Sequence, residues 1–164
     1  MKLVILNGAS CSGKSTVIEK LMKHKERYFH LSYDALKWQF SQYASGKYYE
    51  DLHKLRLAML RALCELKYNV ITEAVHEVSR QKHIDIAAEY GYEIVEINLE
   101  ADYETLLKRR GERIAARDRK EDFSQERFDA LFNAYQSEKN NQAITFKTDT
   151  QSAEEIAESI LKLL

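Results

Sequence analysis

Short apolar runs alternate along this chain with longer segments in which apolar residues recur every three or four positions. The apolar runs cover residues 2–6, 28–32, 69–72, 93–99 and 143–146, and they predict five strands. The segments between them have helical spacing, so strands and helices alternate. This order predicts an α/β protein with a parallel sheet covered by helices on both faces and ligands bound at the carboxyl ends of the strands.

Two helical segments carry apolar stripes that predict core-facing sides rather than cofactor-binding surfaces. The first stripe is Leu52, Leu55, Met59, Leu63 and Leu66, and the second is Phe128, Leu131, Phe132 and Tyr135. Near the end of the chain, Ser152 and Glu155 have the spacing of a capping box, which predicts the start of the last helix.

Composition and charge narrow the possible classes of protein. The 164 residues include no proline and only 5 glycines, with no visible linker or repeat, so we predict a single domain over residues 1–164. A formal net charge of -1 gives no general attraction to nucleic acid or to an anionic membrane. Cys11 and Cys64 form neither a disulfide framework nor a metal-binding pattern, and no segment resembles a signal peptide or a membrane span. We therefore expect a cytoplasmic protein; no segment predicts an oligomeric state.

A glycine-rich segment after the first predicted strand matches the P-loop (Walker A) pattern G-x-x-x-x-G-K-[ST] at every fixed position. It consists of Gly8, Ala9, Ser10, Cys11, Ser12, Gly13, Lys14 and Ser15, and Thr16 leads into the predicted helix. Glycines let the backbone wrap around phosphate oxygens, and the N–H groups at the start of the helix attract them. Lys14 is expected to reach the β- and γ-phosphates, and Ser15 to place its hydroxyl on Mg²⁺.

Two carboxylates are predicted at the carboxyl ends of strands that flank this loop. Asp34 follows the second strand, where it could orient an acceptor hydroxyl and take its proton; the alternative is that Asp34 caps a helix over residues 35–40. Glu73 ends the third strand, where it could hold a Mg²⁺-bound water or simply pair with Lys14.

The residues that follow Asp34 are candidates for the acceptor pocket. Lys37 lies one helical turn after Asp34 and could hold an anion or steady the carboxylate, or be a solvated surface lysine. Aromatic side chains are dense in this region and could stack on a ring or a base, although core packing explains them equally well: they are Trp38, Phe40, Tyr43, Tyr48 and Tyr49.

The chain has one basic cluster, between the fourth strand and the Phe128 stripe. Arg109, Arg113 and Arg117 recur every four residues, so a helix would place them on one face. Such a ridge could clamp the γ-phosphoryl group as part of a closing lid over residues 109–122. A solvated charged face and an RNA-binding surface are the alternatives.

The fifth strand ends in Lys147-Thr148-Asp149, which partly matches a guanine-reading motif. Phe146 occupies the position where that motif requires Asn or Thr, so we expect ATP rather than GTP.

Together these motifs resemble the P-loop small-molecule kinases, a group that includes chloramphenicol phosphotransferase, polynucleotide kinase, gluconate kinase and, more distantly, adenylate kinase. The opening ILNGASCSGKST is especially similar to chloramphenicol phosphotransferases. Asp34 matches the acceptor-activating aspartate of those enzymes and of polynucleotide kinases, and Arg109-x-x-x-Arg113 resembles their lid pair. The resemblance implies a P-loop NTPase fold with strand order 2-3-1-4-5, an Arg-rich lid and transfer of the ATP γ-phosphate to an acceptor.

The chain departs from the family pattern at three places. Lys37 stands where many relatives carry arginine, which removes a planar fork suited to phosphate and disfavours a nucleoside monophosphate acceptor. Glu73 stands where relatives usually carry aspartate, and residues 38–56 match no family pattern.

The sequence therefore predicts an ATP- and Mg²⁺-dependent kinase that phosphorylates a hydroxyl of a small molecule. Lys14, Asp34, Arg109, Arg113 and Arg117 are the expected catalytic residues, residues 8–16 and Arg109 the nucleotide-binding ones, and Ser15 and Glu73 the metal-binding ones. A nucleoside, nucleotide or 5′-hydroxyl polynucleotide kinase is the first alternative, with nucleic acid a less favoured partner. A slow ATP-hydrolysing switch is the second.

Overall fold

A computed structural model describes residues 1–24, 26–43, 47–74, 76–116 and 124–164 of the chain. Within these ranges, no helix is both long enough and apolar enough to cross a bilayer.

Five strands form one parallel sheet in the order β2-β3-β1-β4-β5. The strands are β1 (Lys2–Asn7), β2 (Tyr28–Leu31), β3 (Asn69–Ala74), β4 (Glu93–Glu100) and β5 (Ile144–Lys147). The helices are α1 (Lys14–His24), α2 (Tyr33–Lys37), α3 (Tyr49–Glu65), α4 (Glu77–Glu89), α5 (Tyr103–Ala116), α6 (Gln125–Glu138) and α7 (Ala153–Leu161). The order of the strands and their parallel direction confirm the predicted fold class.

Strand β1 is the centre of the sheet and pairs along its length with β3 on one side and β4 on the other. Residues 3–6 are completely buried because both faces of the strand are covered. This explains why the strand reads as a continuous apolar run rather than an alternating one. The register pairs Leu6 with Glu73 and Asn7 with Asn98, so the loop that follows β1 leaves the sheet beside the ends of both neighbours.

The two faces of the sheet form separate apolar layers. Val4 and Leu6 pack with residues of α1 and α7 on one face, while Leu3 and Ile5 pack with residues of α3 and α4 on the other. A smaller cluster joins α5 and α6 to the phosphate loop and consists of Ala9, Leu106, Phe128 and Tyr135. These layers fix the helices around the carboxyl edge of the sheet.

The predicted elements match the structure closely, with one informative error in α3. The capping box at Ser152 and Glu155 is present, and each strand lies within two residues of its predicted bounds. The stripe predicted for α3 is only partly right, because Leu55 is 39% exposed and Leu66 is 62% exposed. The buried residues of this helix are Leu52, Arg56, Leu60, Leu63 and Cys64. The buried face thus includes an arginine, which an apolar pattern does not count.

An ion cluster closes the seam between β4, β5 and α6. Glu100 Oε1 accepts a hydrogen bond from Lys139 Nζ (2.7 Å), and Glu100 Oε2 accepts one from Lys147 Nζ (2.8 Å). Burial alone would raise the pKa of Glu100, but the hydrogen bonds and charges of the two lysines outweigh it and lower this pKa from 4.5 to about 2. The cluster therefore stabilises the folded protein whenever the carboxylate is ionised.

We predict that Glu100→Gln lowers the free energy of unfolding at pH 7 by about 1–3 kcal/mol. This figure is reduced to allow for solvent screening of the ion pair with Lys147, whose side chain is mostly exposed. Since the folded pKa lies below the unfolded one, the contribution is complete above pH 4.5 and is lost as the pH falls toward about 2. Urea unfolding between pH 7 and pH 3 measures both effects. Glu154→Gln, which changes the surface pair with Lys20, is the control. Equal stability of the Glu100 variant and the wild type at pH 7 would contradict the prediction.

Candidate active site

A cavity of about 600 Å³ opens at the carboxyl edge of the sheet. It brings together side chains from the phosphate loop, α2, the end of β3, α5 and the segment between β5 and α7. The lining residues are Ser10, Cys11, Ser12, Gly13, Lys14, Ser15, Thr16, Val17, Asp34, Glu73, Arg109, Arg113, Thr148, Gln151, Ser152, Ala153 and Ile156. The structure thus gathers most of the predicted site residues in one place.

The phosphate loop is held in a tight curl by its own backbone. Ser12 N donates to Ala9 O (3.2 Å), and Val17 N donates to Gly13 O (3.0 Å) at the start of α1. Gly13 (φ 89°) and Cys11 (φ 66°) have left-handed backbone conformations, which glycine adopts freely and cysteine does not. The curl leaves the first N–H groups of α1 beside the cavity, where an anion would be favoured.

Gly8 is required by the close approach of the loop to its neighbours. A Cβ atom at this position would lie 2.4 Å from Ser12 Oγ and 2.7 Å from the backbone oxygen of Leu99. Gly8 and Ala9 do not line the cavity; their carbonyl oxygens instead accept hydrogen bonds from Lys14 Nζ at 2.8 and 2.9 Å. Both residues therefore support the conformation of the loop from the side that faces away from the cavity.

Lys14 points into the cavity while bound to the loop itself rather than to Glu73. Burial lowers the pKa of its ammonium group, and the nearby Glu73 carboxylate opposes that shift. A partly desolvated cation whose hydrogen bonds to the described residues go to neutral carbonyl oxygens is ready to exchange those partners for phosphate oxygens.

Asp34 lies in α2 and is not the cap of that helix. The cap is Ser32, whose hydroxyl accepts a hydrogen bond from Ala35 N (3.2 Å), and α2 begins at Tyr33 rather than at residue 35. Structural capping therefore does not account for Asp34, which lines the cavity and accepts a hydrogen bond from Lys37 Nζ (2.6 Å). Of the three roles considered for Lys37, which were binding an anion, steadying the carboxylate and lying solvated at the surface, this contact supports the second.

Glu73 reaches the same cavity from the end of β3, beside the phosphate loop as the sheet order predicts. The imidazole of His30 lies beside it, with Nε2 3.4 Å from Glu73 Oε1. Glu73 and the Ser15 hydroxyl provide oxygen ligands of the kind that Mg²⁺ prefers. In the described part of the chain, no group of three or more His, Cys, Asp or Glu residues could hold a metal. The donors present fit a Mg²⁺ ion that is shared with nucleotide phosphates and water.

Arg109 and Arg113 both project from α5 to the cavity. Arg109 donates through Nη1 to Thr148 Oγ1 (2.9 Å) and through Nη2 to Thr148 O, which ties α5 to the segment after β5. Residues 109–116 of the predicted lid continue α5, whereas Arg117 and residues 118–122 lie outside the described residues.

Sequence reasoning missed several residues of the site. Gln151 lines the cavity without having been predicted, and Thr148, considered only as part of a partial guanine-reading motif, lines it in contact with Arg109. Their position after the fifth strand was the available signal, because ligands gather at strand ends. His30 and Arg56, which contact Glu73 without lining the cavity, had no such signal, since one is a strand residue and the other lies within an apolar stripe.

Tyr33, which precedes Asp34 in α2, belongs to a cluster of aromatic rings. Tyr33, Tyr49 and His53 form a cluster with ring centroids 4.9 to 6.5 Å apart. Burial, reinforced by Tyr43, raises the pKa of Tyr33 to about 12, so its hydroxyl remains a hydrogen-bond donor at neutral pH. Trp38 and Tyr49 are 51% and 48% exposed, which leaves aromatic surface available beside Asp34.

Comparison with known proteins identifies the family. The family model described as AAA domain matches residues 3–137, most of the chain, and the chain belongs to this family. No curated protein matches the sequence. Together with the solved structures below, the match confirms the resemblance to P-loop small-molecule kinases.

Three solved structures show the similarity of the fold. A component of the Pnkp1/Rnl/Hen1 RNA repair complex is 25% identical (TM-score 0.71) over 83% of this chain and 44% of its own length. A presumed kinase from Chloroflexus aurantiacus is 17% identical (TM-score 0.74) over 99% and 98%. Shikimate kinase from Aquifex aeolicus is 18% identical (TM-score 0.60) over 98% and 94%. The chain thus spans less than half of the RNA repair component. Family and fold support an ATP-dependent kinase in general.

We predict that Gly8→Ala weakens ATP binding by about 10-fold or more, because overpacking of about 1–3 kcal/mol must distort the loop. Gly111→Ala in α5 is the matched control, since a Cβ there meets nothing within 4 Å. Calorimetric titration with ATP and Mg²⁺ measures both affinities. If Gly8→Ala bound ATP with wild-type affinity, the loop would accommodate the added methyl group without loss of binding, and the prediction would be wrong.

Proposed function

We propose that the protein is an ATP-dependent kinase that transfers the γ-phosphate of ATP to a hydroxyl group of a small-molecule acceptor. The observation that carries the proposal is the convergence of Lys14, Asp34, Glu73, Arg109 and Arg113 on one cavity. Two carboxylates and three cations at one strand edge provide an acceptor base, a metal ligand and phosphate ligands. Phosphoryl transfer requires those three functions.

In the proposed mechanism, the amides at the start of α1 and the Lys14 ammonium bind the β- and γ-phosphates. Asp34 orients the acceptor hydroxyl and takes its proton as the new O–P bond forms and the bond from the γ-phosphorus to the bridging oxygen breaks. Arg113 stabilises charge on the transferring group. Arg109 and Thr148 flank the adenine base of ATP. Arg117, which lies outside the described residues, is proposed to act from the same helix face as Arg109 and Arg113. Mg²⁺ bound near Ser15 and Glu73 would neutralise phosphate charge.

Two further parts of the proposal concern the nucleotide and the lid. We infer ATP rather than GTP, since Phe146 replaces the amide or hydroxyl of a guanine reader. We infer that the segment from Arg109 onward acts as a lid, because α5 carries Arg109 and Arg113 to the cavity.

A kinase for 5′-hydroxyl polynucleotides or nucleosides is the second candidate, and one observation favours it. Trp38 is half exposed beside Asp34, and Lys37 Nζ lies 5.1 Å from its ring centroid. An exposed indole next to a cation suits a stacked base followed by a phosphate. The similarity to a component of an RNA repair complex is in keeping with this candidate.

We predict that Asp34→Asn lowers kcat by about 100-fold or more, since a positioned base contributes about 10²- to 10⁴-fold. The measurement is transfer of labelled γ-phosphate from ATP to a panel of alcohols, sugars, aminoglycosides, nucleosides, nucleotides and 5′-hydroxyl oligonucleotides. Asp51→Asn, an exposed carboxylate in the first turn of α3, is the control. Phosphate release to water alone, at the same rate in wild type and Asp34→Asn, would reject the kinase and favour a nucleotide switch.

We predict that Trp38→Ala separates the two acceptor classes. If the acceptor carries a base, loss of stacking worth about 1–3 kcal/mol should lower kcat/KM by about 10-fold for base-containing acceptors and leave plain alcohols unaffected. Tyr90→Ala is a matched control, because Tyr90 is exposed at the end of α4, away from the cavity. An equal loss for every acceptor would assign Trp38 a structural role.

A further inference from the structure

Arg56 of α3 is a charged residue in the interior, only 3% exposed. A guanidinium keeps its proton in proteins, and an unpaired buried charge is costly, so its partners show why the position tolerates it. Burial lowers the pKa of Arg56, and the Glu73 carboxylate gives the largest opposing effect.

The partners of Arg56 are groups at the end of β3. Its Nη2 donates to Thr72 Oγ1 (2.8 Å) and to the backbone oxygen of Glu73 (2.9 Å). The Thr72 hydroxyl, completely buried, in turn donates to the backbone oxygen of Leu31 (3.0 Å). Because a hydroxyl has one proton, its single donor bond is committed to β2 while Arg56 occupies a lone pair.

This chain of bonds lies where the two strands part. Leu31, paired with Thr72, is the last residue of β2, and β3 continues to Glu73 and Ala74. Three residues beyond Leu31 the chain reaches Asp34, and one residue beyond Thr72 it reaches Glu73. Arg56 also lies against the segment between Leu31 and Asp34, with Cζ 5.7 Å from the Tyr33 ring centroid.

We propose that Arg56 and Thr72 form a positioning relay that fixes the acceptor base Asp34 relative to Glu73. The relay acts through backbone, since neither residue lines the cavity. The same burial argues against Arg56 as a ligand of an acceptor anion, because its Nε is inaccessible and has no hydrogen-bond partner within the described residues. The inference rests on the proposed kinase function, in which both carboxylates serve phosphoryl transfer.

The central test is Thr72→Val, which keeps the shape of the side chain and removes the shared hydroxyl. We expect kcat for the acceptor found in the transfer panel to fall by about 10- to 100-fold, the scale expected from misplacement by about 1 Å. ATP affinity should be unchanged, because the phosphate loop is untouched. Thr72→Ser, which retains the hydroxyl, should recover most of kcat, and Thr145→Val on β5 makes the same chemical change without loss of activity.

Two outcomes would overturn the relay. If Thr72→Val lowers only Tm and leaves kcat at the wild-type level, the bonds serve stability alone. If Arg56→Met raises KM for the acceptor with kcat unchanged, Arg56 contacts the acceptor. Combining Arg56→Met with Thr72→Val should cost little more than the more damaging single change, whereas additive losses would contradict a shared network.

Amide hydrogen exchange separates this inference from the proposed function. In Thr72→Val, peptides covering residues 31–34 and 72–74 should exchange faster than in wild type, with α1 unchanged. Faster exchange without phosphorylation of any acceptor by the wild type would reject the kinase while retaining the tie between the strand ends. Unchanged exchange in an active kinase would reject the relay alone.

Discussion

Parallel pairing of β1 with β3 and β4 is the constraint on which the site depends. The phosphate loop starts at the end of β1, so its position relative to the groups at the ends of β3 and β4 is set by the pairing of the strands. The register places Glu73 beside Leu6, one residue before β3 ends, and Leu99 O directly against Gly8. The completely buried residues 3–6 help to fix this register, because a slip of one residue would move each side chain to the opposite apolar layer.

Two cations at this edge donate hydrogen bonds to neutral groups of the protein. Lys14 binds carbonyl oxygens of the phosphate loop, and Arg109 binds the hydroxyl and carbonyl of Thr148. Such partners keep the side chains ordered without cancelling their charge, so phosphate can replace carbonyl at small electrostatic cost. Asp34 differs, because its charge is already paired with Lys37. An acceptor hydroxyl can share this carboxylate, since Lys37 occupies one oxygen and the other can accept the hydroxyl proton.

The sequence predicts most of the fold because its signals are local. Leu3 to Leu6 form an apolar run typical of a buried strand, and the residues from Gly8 to Ser15 match a loop whose backbone geometry dictates residue type. The roles around Asp34 required coordinates. Ser32 and Asp34 can both cap a helix by their chemistry, and only the position of Ala35 N distinguishes them. In α3, Leu52 and Leu60 mark the buried face, but Arg56 between them carries a charge that pattern reasoning assigns to solvent.

Two buried polar groups at the end of β3, the Thr72 hydroxyl and the Glu73 carbonyl, explain why an arginine rather than a hydrophobic residue stands at position 56. Replacing buried ion pairs by apolar residues is often neutral or stabilising when the neighbours are apolar too. Here the neighbours are the Thr72 hydroxyl and the Glu73 carbonyl, and a strand end that must present a carboxylate to the cavity cannot avoid exposing such groups to the interior.

A hydrophobic side chain at position 56 would leave the Glu73 carbonyl without this donor. The loss would cost about 1–3 kcal/mol of folding free energy if no water replaced the donor. The guanidinium can donate to both acceptors from one nitrogen while its stem extends through the layer that contains Leu60. The buried charge is thus a consequence of placing the carboxylates that line the cavity where parallel strands end.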